Sequence, residues 1–203
     1  MELELFALLF LAVAGFLAAF LDAIAGGGGL ISLPALLSVG VPPISALATN
    51  KMQSVVGTTV AAITYWRRGY IKFTALIVPI ILTLIGSIVG AATAKSMDTN
   101  LLNLLVPILL IGVSIYFMFS PKLSDETRSE KLQFAVFAPV MGFTVGFYDG
   151  IFGPGTGSFF IAGFVTLFGL GLTKAVGNTK VLNATSNLAA LMFFILAGDV
   201  VWI

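Results

Sequence analysis

The chain has 203 residues, 59% of them hydrophobic and 9% charged, with a mean hydropathy of +1.09. Soluble domains carry about 25% charged residues, so ten Lys/Arg and nine Asp/Glu exclude a water-facing globular surface, and so apolar a chain does not stay disordered. The absence of His and Cys and the net charge of +1 exclude disulfides, thiol and His-based catalysis, Cys/His zinc sites, His-ligated haem and a basic face for nucleic acid.

An integral membrane protein remains, and its uncharged gaps predict the elements. Residues 5–21 open the chain with a first transmembrane helix. The acidic residues Glu2 and Glu4 before it, and the lack of a small-residue cleavage site after it, argue against a signal peptide. Residues 23–50 are also uncharged, but Gly26 to Gly29, Pro34, Gly40 and Pro42-Pro43 break them, so no uniform helix fits. Spans follow at 73–94, 99–121, 132–148 and 181–198, each of 17 to 23 residues without a charge. Crossing about 30 Å of hydrocarbon takes roughly 20 helical residues, whereas the alternation of a barrel strand is missing. The last gap, 150–173, is broken again, by Gly153-Pro154-Gly155 and Gly157. The expected fold is all-α, a polytopic transmembrane helix bundle.

The basic loop of Arg67, Arg68 and Lys72 belongs in the cytoplasm. Counting from it puts 97–100 outside, the linker 122–131 (with Lys122, Arg128 and Lys131) inside, Lys174 inside and Asp199 outside, and the N-terminus on the periplasmic side. Lys95, near an outside end, runs against this assignment.

The chain also repeats itself at an offset of 127 to 129 residues. Asp22-Ala-Ile-Ala-Gly26-Gly-Gly28 returns as Asp149-Gly-Ile-Phe-Gly153-Pro-Gly155, and Ala46 to Ser54 returns as Ala175 to Asn183, with Lys51 against Lys180. Residues 1–121 form a first membrane repeat and 132–203 a second. By the loop count the second is inverted, the plan of many secondary transporters. The first copy continues past Gly69 with two spans and the second ends at Ile203, so the second repeat is expected to be truncated by about two helices.

Five charges lie away from the loops: Asp22, Lys51, Asp149, Lys174 and Lys180. A charge at the bilayer centre costs roughly 2.5 to 3.5 kcal/mol on insertion scales. Lys174 can reach the interface; Lys51 and Lys180 sit in apolar stretches at equivalent places in the two copies. Lys180, Asn183 and Asn187 share one helical face beside Thr179. Lys51, Ser54 and Thr58 share another, with Asn50, Gln53 and Gly57 one step round. A lysine flanked by amides and hydroxyls suits a small oxyanion, and interhelical hydrogen bonding is the alternative. The expected substrate-binding set is Lys51, Lys180, Asn50, Gln53, Ser54, Thr179, Asn183 and Asn187. Gly26, Gly27, Gly28, Gly29, Gly153, Gly155 and Gly157 are expected to unwind the chain and turn amides and half-helix starts toward the cavity, or else to pack helices closely. Gly155-Thr156-Gly157-Ser158 is no nucleotide loop, because no Gly-Lys-Ser/Thr follows. Asp22 and Asp149 cap a broken helix, bind a coupling ion, or pair with the lysines.

These motifs, together with Ala48-Thr-Asn-Lys-Met-Gln-Ser54, Gly146 to Ser158 and Thr179 to Asn187, resemble the TauE/SafE family of membrane transporters over nearly the whole chain, and most of all its uncharacterised inner-membrane subgroup. The resemblance implies export of sulfite or a small organosulfur anion, duplicated helices, and a chain running about two helices past Ile203. The expected function is a secondary transporter, an exporter of a small anion, working by alternating access at the repeat interface in a bacterial inner membrane. Its expected partners are the anionic solute and the bilayer, with no nucleic acid, cofactor or metal, and with a homo-oligomer left open. The alternatives are a small-anion channel and an intramembrane aspartyl protease using Asp22 and Asp149. The latter lacks a Gly-x-Gly-Asp context.

Overall fold

The computed structural model describes residues 5–24, 26–119, 125–127, 129 and 131–200. Glu2 and Glu4, used above against a signal peptide, and Lys122 and Arg128, used to argue sidedness, lie outside the described residues. Every element among the described residues is helical: α1 (Leu5–Ile24), α2 (Gly29–Ser38), α3 (Pro43–Arg67), α4 (Phe73–Ser96) and α5 (Thr99–Met118). A rod follows, built from α6 (Phe134–Pro139), a π-helical stretch (Val140–Val145) and α7 (Gly146–Ile151), and then come α8 (Thr156–Thr166) and α9 (Leu172–Leu196). Five segments are long and apolar enough to cross a membrane: α1, α4, α5, the rod Phe134–Ile151, and α9.

The glycine-rich stretches break the chain as their composition dictates. Gly26 and Gly153 adopt φ of +79° and +92°, a left-handed conformation open to glycine and strained for other residues. Each ends a long helix, and a short one follows. The sequence offset therefore reappears as element order: a long helix, a break, a short helix of 10 or 11 residues, then a 25-residue helix.

Helix ends differ from the sequence expectation: the span expected at 132–148 is the rod Phe134–Ile151, which takes in Asp149. The span expected at 181–198 begins nine residues earlier, because α9 runs from Leu172 and carries both Lys174 and Lys180. A lysine ends a membrane helix only when it faces lipid, and Lys180 is wholly buried among helices. The π-helical stretch was not foreseen. It directly follows Pro139, whose missing N–H removes a rung of the helical ladder.

Two apolar clusters hold the bundle. One gathers Val41, Leu47, Ala94, Leu102 and Phe194; the other gathers Ile71, Leu76, Phe137, Phe164 and Val176. The first takes in the start of α3 and the ends of α4 and α9, the second the start of α4 and α9 and the end of α3. Hence α3 and α9, which pack along one another, run in opposite directions. Between the clusters lies a buried polar layer.

The seam between α4 and the rod is built from small residues. A Cβ added at Gly86, Gly90 or Gly150 would come within 2.1 to 2.4 Å of the Phe143, Phe147 or Ser87 carbonyl oxygen. Only glycine lets these backbones meet, as in small-residue membrane packing motifs.

Candidate functional site: a buried layer of crossed charges

Asp22, Lys51, Asp149 and Lys180 all lie within the polar layer, at most 4% exposed. Lys51, on α3, comes from the first copy of the repeat, and its Nζ is 2.8 Å from Oδ1 of Asp149, on α7 in the second. Lys180, on α9 in the second copy, donates a hydrogen bond to the main-chain oxygen of Asp22 in the first and interacts electrostatically with its carboxylate. Each copy therefore supplies the counter-charge for the other's lysine, and the four formal charges sum to zero. A charge buried in low dielectric needs such a partner.

The glycines make this pairing sterically possible. A Cβ on Gly153 would lie 2.7 Å from the Lys51 ammonium nitrogen and 3.0 Å from Asp149 Oδ1. At the crossing of the two breaks, Gly157 donates its N–H to the Gly26 carbonyl at 3.1 Å. A Cβ on either residue would sit 2.5 Å from the other's Cα. The breaks thus close on one another here, backbone to backbone.

The other expected site residues divide into groups. Asp22 Oδ1 accepts from the Gly28 N–H at 3.3 Å near the start of α2, and Ser54 bonds the same carboxylate. Asn50 accepts from Ser32 at 2.5 Å, and Ser32 bonds the Gly28 carbonyl in turn. Asn187 donates to the side chain and carbonyl of Asn183, whose amide nitrogen lies against Gly157. Gln53 is placed differently: its amide holds the Gly15 carbonyl of α1 at 3.2 Å, so it ties helices together. Gly155 meets Phe117 and Val113 of α5, Gly29 meets Pro154, and the nearest neighbour facing Gly27 is the side chain of Leu30.

Four polar atoms in the layer lack a hydrogen-bond partner among the described residues: Lys51 Nζ, Thr83 Oγ1, Asp149 Oδ2 and Thr179 Oγ1. The Lys51 ammonium touches its carboxylate without donating along a hydrogen-bond direction, so donors remain to spare around the pair. Sequence reasoning missed α4's contribution. Thr83 and Ser87 are fully buried in the layer, and Ser87 donates to the Ser186 carbonyl at 2.6 Å. Two hydroxyls four residues apart, in the otherwise apolar stretch 75–92 of α4, were the available signal. The Asp149 carboxylate pairs with Lys51 and that of Asp22 is held by the Gly28 N–H and Ser54, and no hydrogen bond joins the two carboxylates as an aspartyl-protease dyad would require.

A family model described as "Sulfite exporter TauE/SafE" matches residues 11–203. A "Probable membrane transporter protein" of Haemophilus influenzae is 42% identical over 200 residues, covering 98% of this chain and 78% of that protein. "Probable membrane transporter protein YfcA" of Escherichia coli is 45% identical over 186 residues, covering 92% and 69%. "Probable membrane transporter protein ORF9" of a Sinorhizobium species is 41% identical over 201 residues, covering 99% and 77%. No solved structure matches the chain.

Proposed function

The chain belongs to the TauE/SafE family of membrane transporters, and from that premise we propose that it is a secondary carrier exporting a small anion across a bacterial inner membrane. The observation carrying this reading is the crossed pairing of Lys51 with Asp149 and Lys180 with Asp22. An incoming anion competes with a carboxylate for its lysine. The free donors at Lys51 and Thr179, with Asn183 one turn beyond Thr179 on α9, supply the hydrogen bonds that hold it.

The two copies are related as an inverted repeat. In support, the first copy's Gly40 loop lies by Thr99 and Leu102, while the equivalent second-copy loop at Leu170 lies by Tyr70 and Lys72. In this arrangement the two breaks form the gate, and rocking one copy against the other parts Gly26 from Gly157 and opens the layer to one side at a time. The family model's description favours sulfite, and the donor set suits a small oxyanion such as sulfite or an organosulfur anion.

The test is thermal stability of the purified chain against sulfite, sulfate, thiosulfate, sulfoacetate, taurine and simple carboxylates. A ligand bound only by the folded state adds about 2.7 kcal/mol at a hundredfold excess over Kd. A shift selective for sulfur anions, and lost in Lys51→Ala and Lys180→Ala, is expected. No shift with any anion, or an unchanged shift in both variants, defeats the anion site. Saturable, gradient-coupled flux in proteoliposomes separates this carrier from a channel, whose flux rises linearly with concentration.

A further inference from the structure

A second anion-seeking place lies at the opposite end of the molecule from the Gly40 loop. A cavity of about 540 Å³ opens between the two copies, with Lys72, Lys174 and Asn178 on one part of its wall and Phe134, Phe164 and Phe168 on another. We propose that it binds an anionic phospholipid, with the phosphate between Lys72 and Lys174 and an acyl chain along the phenylalanines.

Three observations favour a lipid. The first is charge: both lysines are exposed and have no ion-pair partner among the described residues. Each sits at a helix start, Lys72 as the residue preceding α4 and Lys174 in the first turn of α9, where the helix dipole adds to the pull on an anion. Asp125 and Glu126 are acidic residues described in the adjoining segment, and the Asp125 carboxylate is engaged by the start of α9. It caps α9 through the Thr173 N–H at 2.8 Å and hydroxyl at 3.2 Å, in a neighbouring cavity of about 210 Å³ that Tyr70 and Lys174 also line. The second is amphipathy: the rings pack on one another, Phe137 stacking on Phe168 at 4.8 Å and Phe134 tilting against it at 5.8 Å. A small hydrated ion gains nothing from such walls. The third is depth: Trp66 and Phe73 meet edge to face beside Arg67 and Arg68, the aromatic and basic girdle of a membrane interface, where basic pockets between helices take lipid headgroups.

A lipid seated here would join the start of α4 in the first copy to α8 and α9 in the second, and so favour the closed arrangement of this end. The inference stands independently of which solute crosses the central layer.

It is tested on the purified chain in a neutral detergent, by native mass spectrometry and melting temperature. The probes are phosphatidylglycerol, phosphatidylcholine and glycerol 3-phosphate. Phosphatidylglycerol should bind at least tenfold more tightly than phosphatidylcholine, and Lys72→Gln/Lys174→Gln should weaken it tenfold or more with folding intact, because both side chains are exposed. Glycerol 3-phosphate should fail to compete even in hundredfold excess. Equal binding of the two lipids, or phosphatidylglycerol binding unchanged in the double variant, overturns the proposal. Effective competition by glycerol 3-phosphate also overturns it and makes the cavity a vestibule for soluble anions.

Discussion

Lys51 and Asp149 have exposures of 0% and 2% at their side chains and stand 2.8 Å apart, which makes them interdependent. Removing one member of a buried pair leaves an uncompensated charge and costs about 3 to 5 kcal/mol, while replacing both by apolar residues is often neutral. Lys51→Met and Asp149→Leu should therefore each lower the unfolding midpoint strongly, and the double variant should recover most of the loss while remaining unable to bind anions. A double variant as unstable as the two singles combined would show that the pair does not act as a unit. The faces carrying this site were legible in the sequence, because helical spacing puts Lys180, Asn183 and Asn187 on one stripe. The partners were not: periodicity says which way a side chain points along a helix and nothing about which distant helix comes to meet it. Ion pairing with the lysines stood among three open roles for the aspartates, and it took the fold to bring α3 to α7 and α9 to the end of α1.

At the scale of elements, the seam between α4 and the rod makes a sharper demand than any span prediction. The Cβ of Ala at position 150 would lie 2.1 Å from the Ser87 carbonyl, and neither backbone can yield without separating the helices. Gly150→Ala should lower stability by about 1 to 3 kcal/mol, the usual range for overpacking. Gly15 and Gly112 lie in open space, so alanine there should leave stability unchanged or raise it, since glycine is the poorer helix former. Equal effects at Gly150 and Gly15 in thermal unfolding would refute the close seam. The glycines at 142, 146 and 150 recur every fourth residue, a pattern the sequence offered openly; the four consecutive glycines at 26–29 drew attention to breaks instead. Spans were legible wherever charge was absent along the whole segment. The start of α9 was not, because burial against α3 and α4 removes the lipid-facing cost by which Lys180 would have marked a boundary.

For the whole molecule, the inverted relation of the copies is the step on which alternating access depends, and it is open to a direct check. Lys95, the one residue at odds with the basic-inside pattern, is paired with Asp199 at 2.8 Å and bonded to the Ala197 carbonyl, and it stands alone against the three basic residues of the Arg67–Lys72 loop in setting orientation. The chain has no cysteine, which makes single-cysteine variants readable without background. Asn103 lines a cavity of about 430 Å³ beside the Gly40 loop, and Asn178 lines the cavity of about 540 Å³ beside Lys72. With the basic loop in the cytoplasm, Asn103→Cys in intact spheroplasts should react with a membrane-impermeant maleimide, and Asn178→Cys should react only after permeabilisation. The equivalent loops of the two copies would then face opposite compartments, as inversion requires. Labelling of both positions from the same side would mean that the copies run parallel, and the gate proposed at Gly26 and Gly157 would lack the symmetry that alternating access requires.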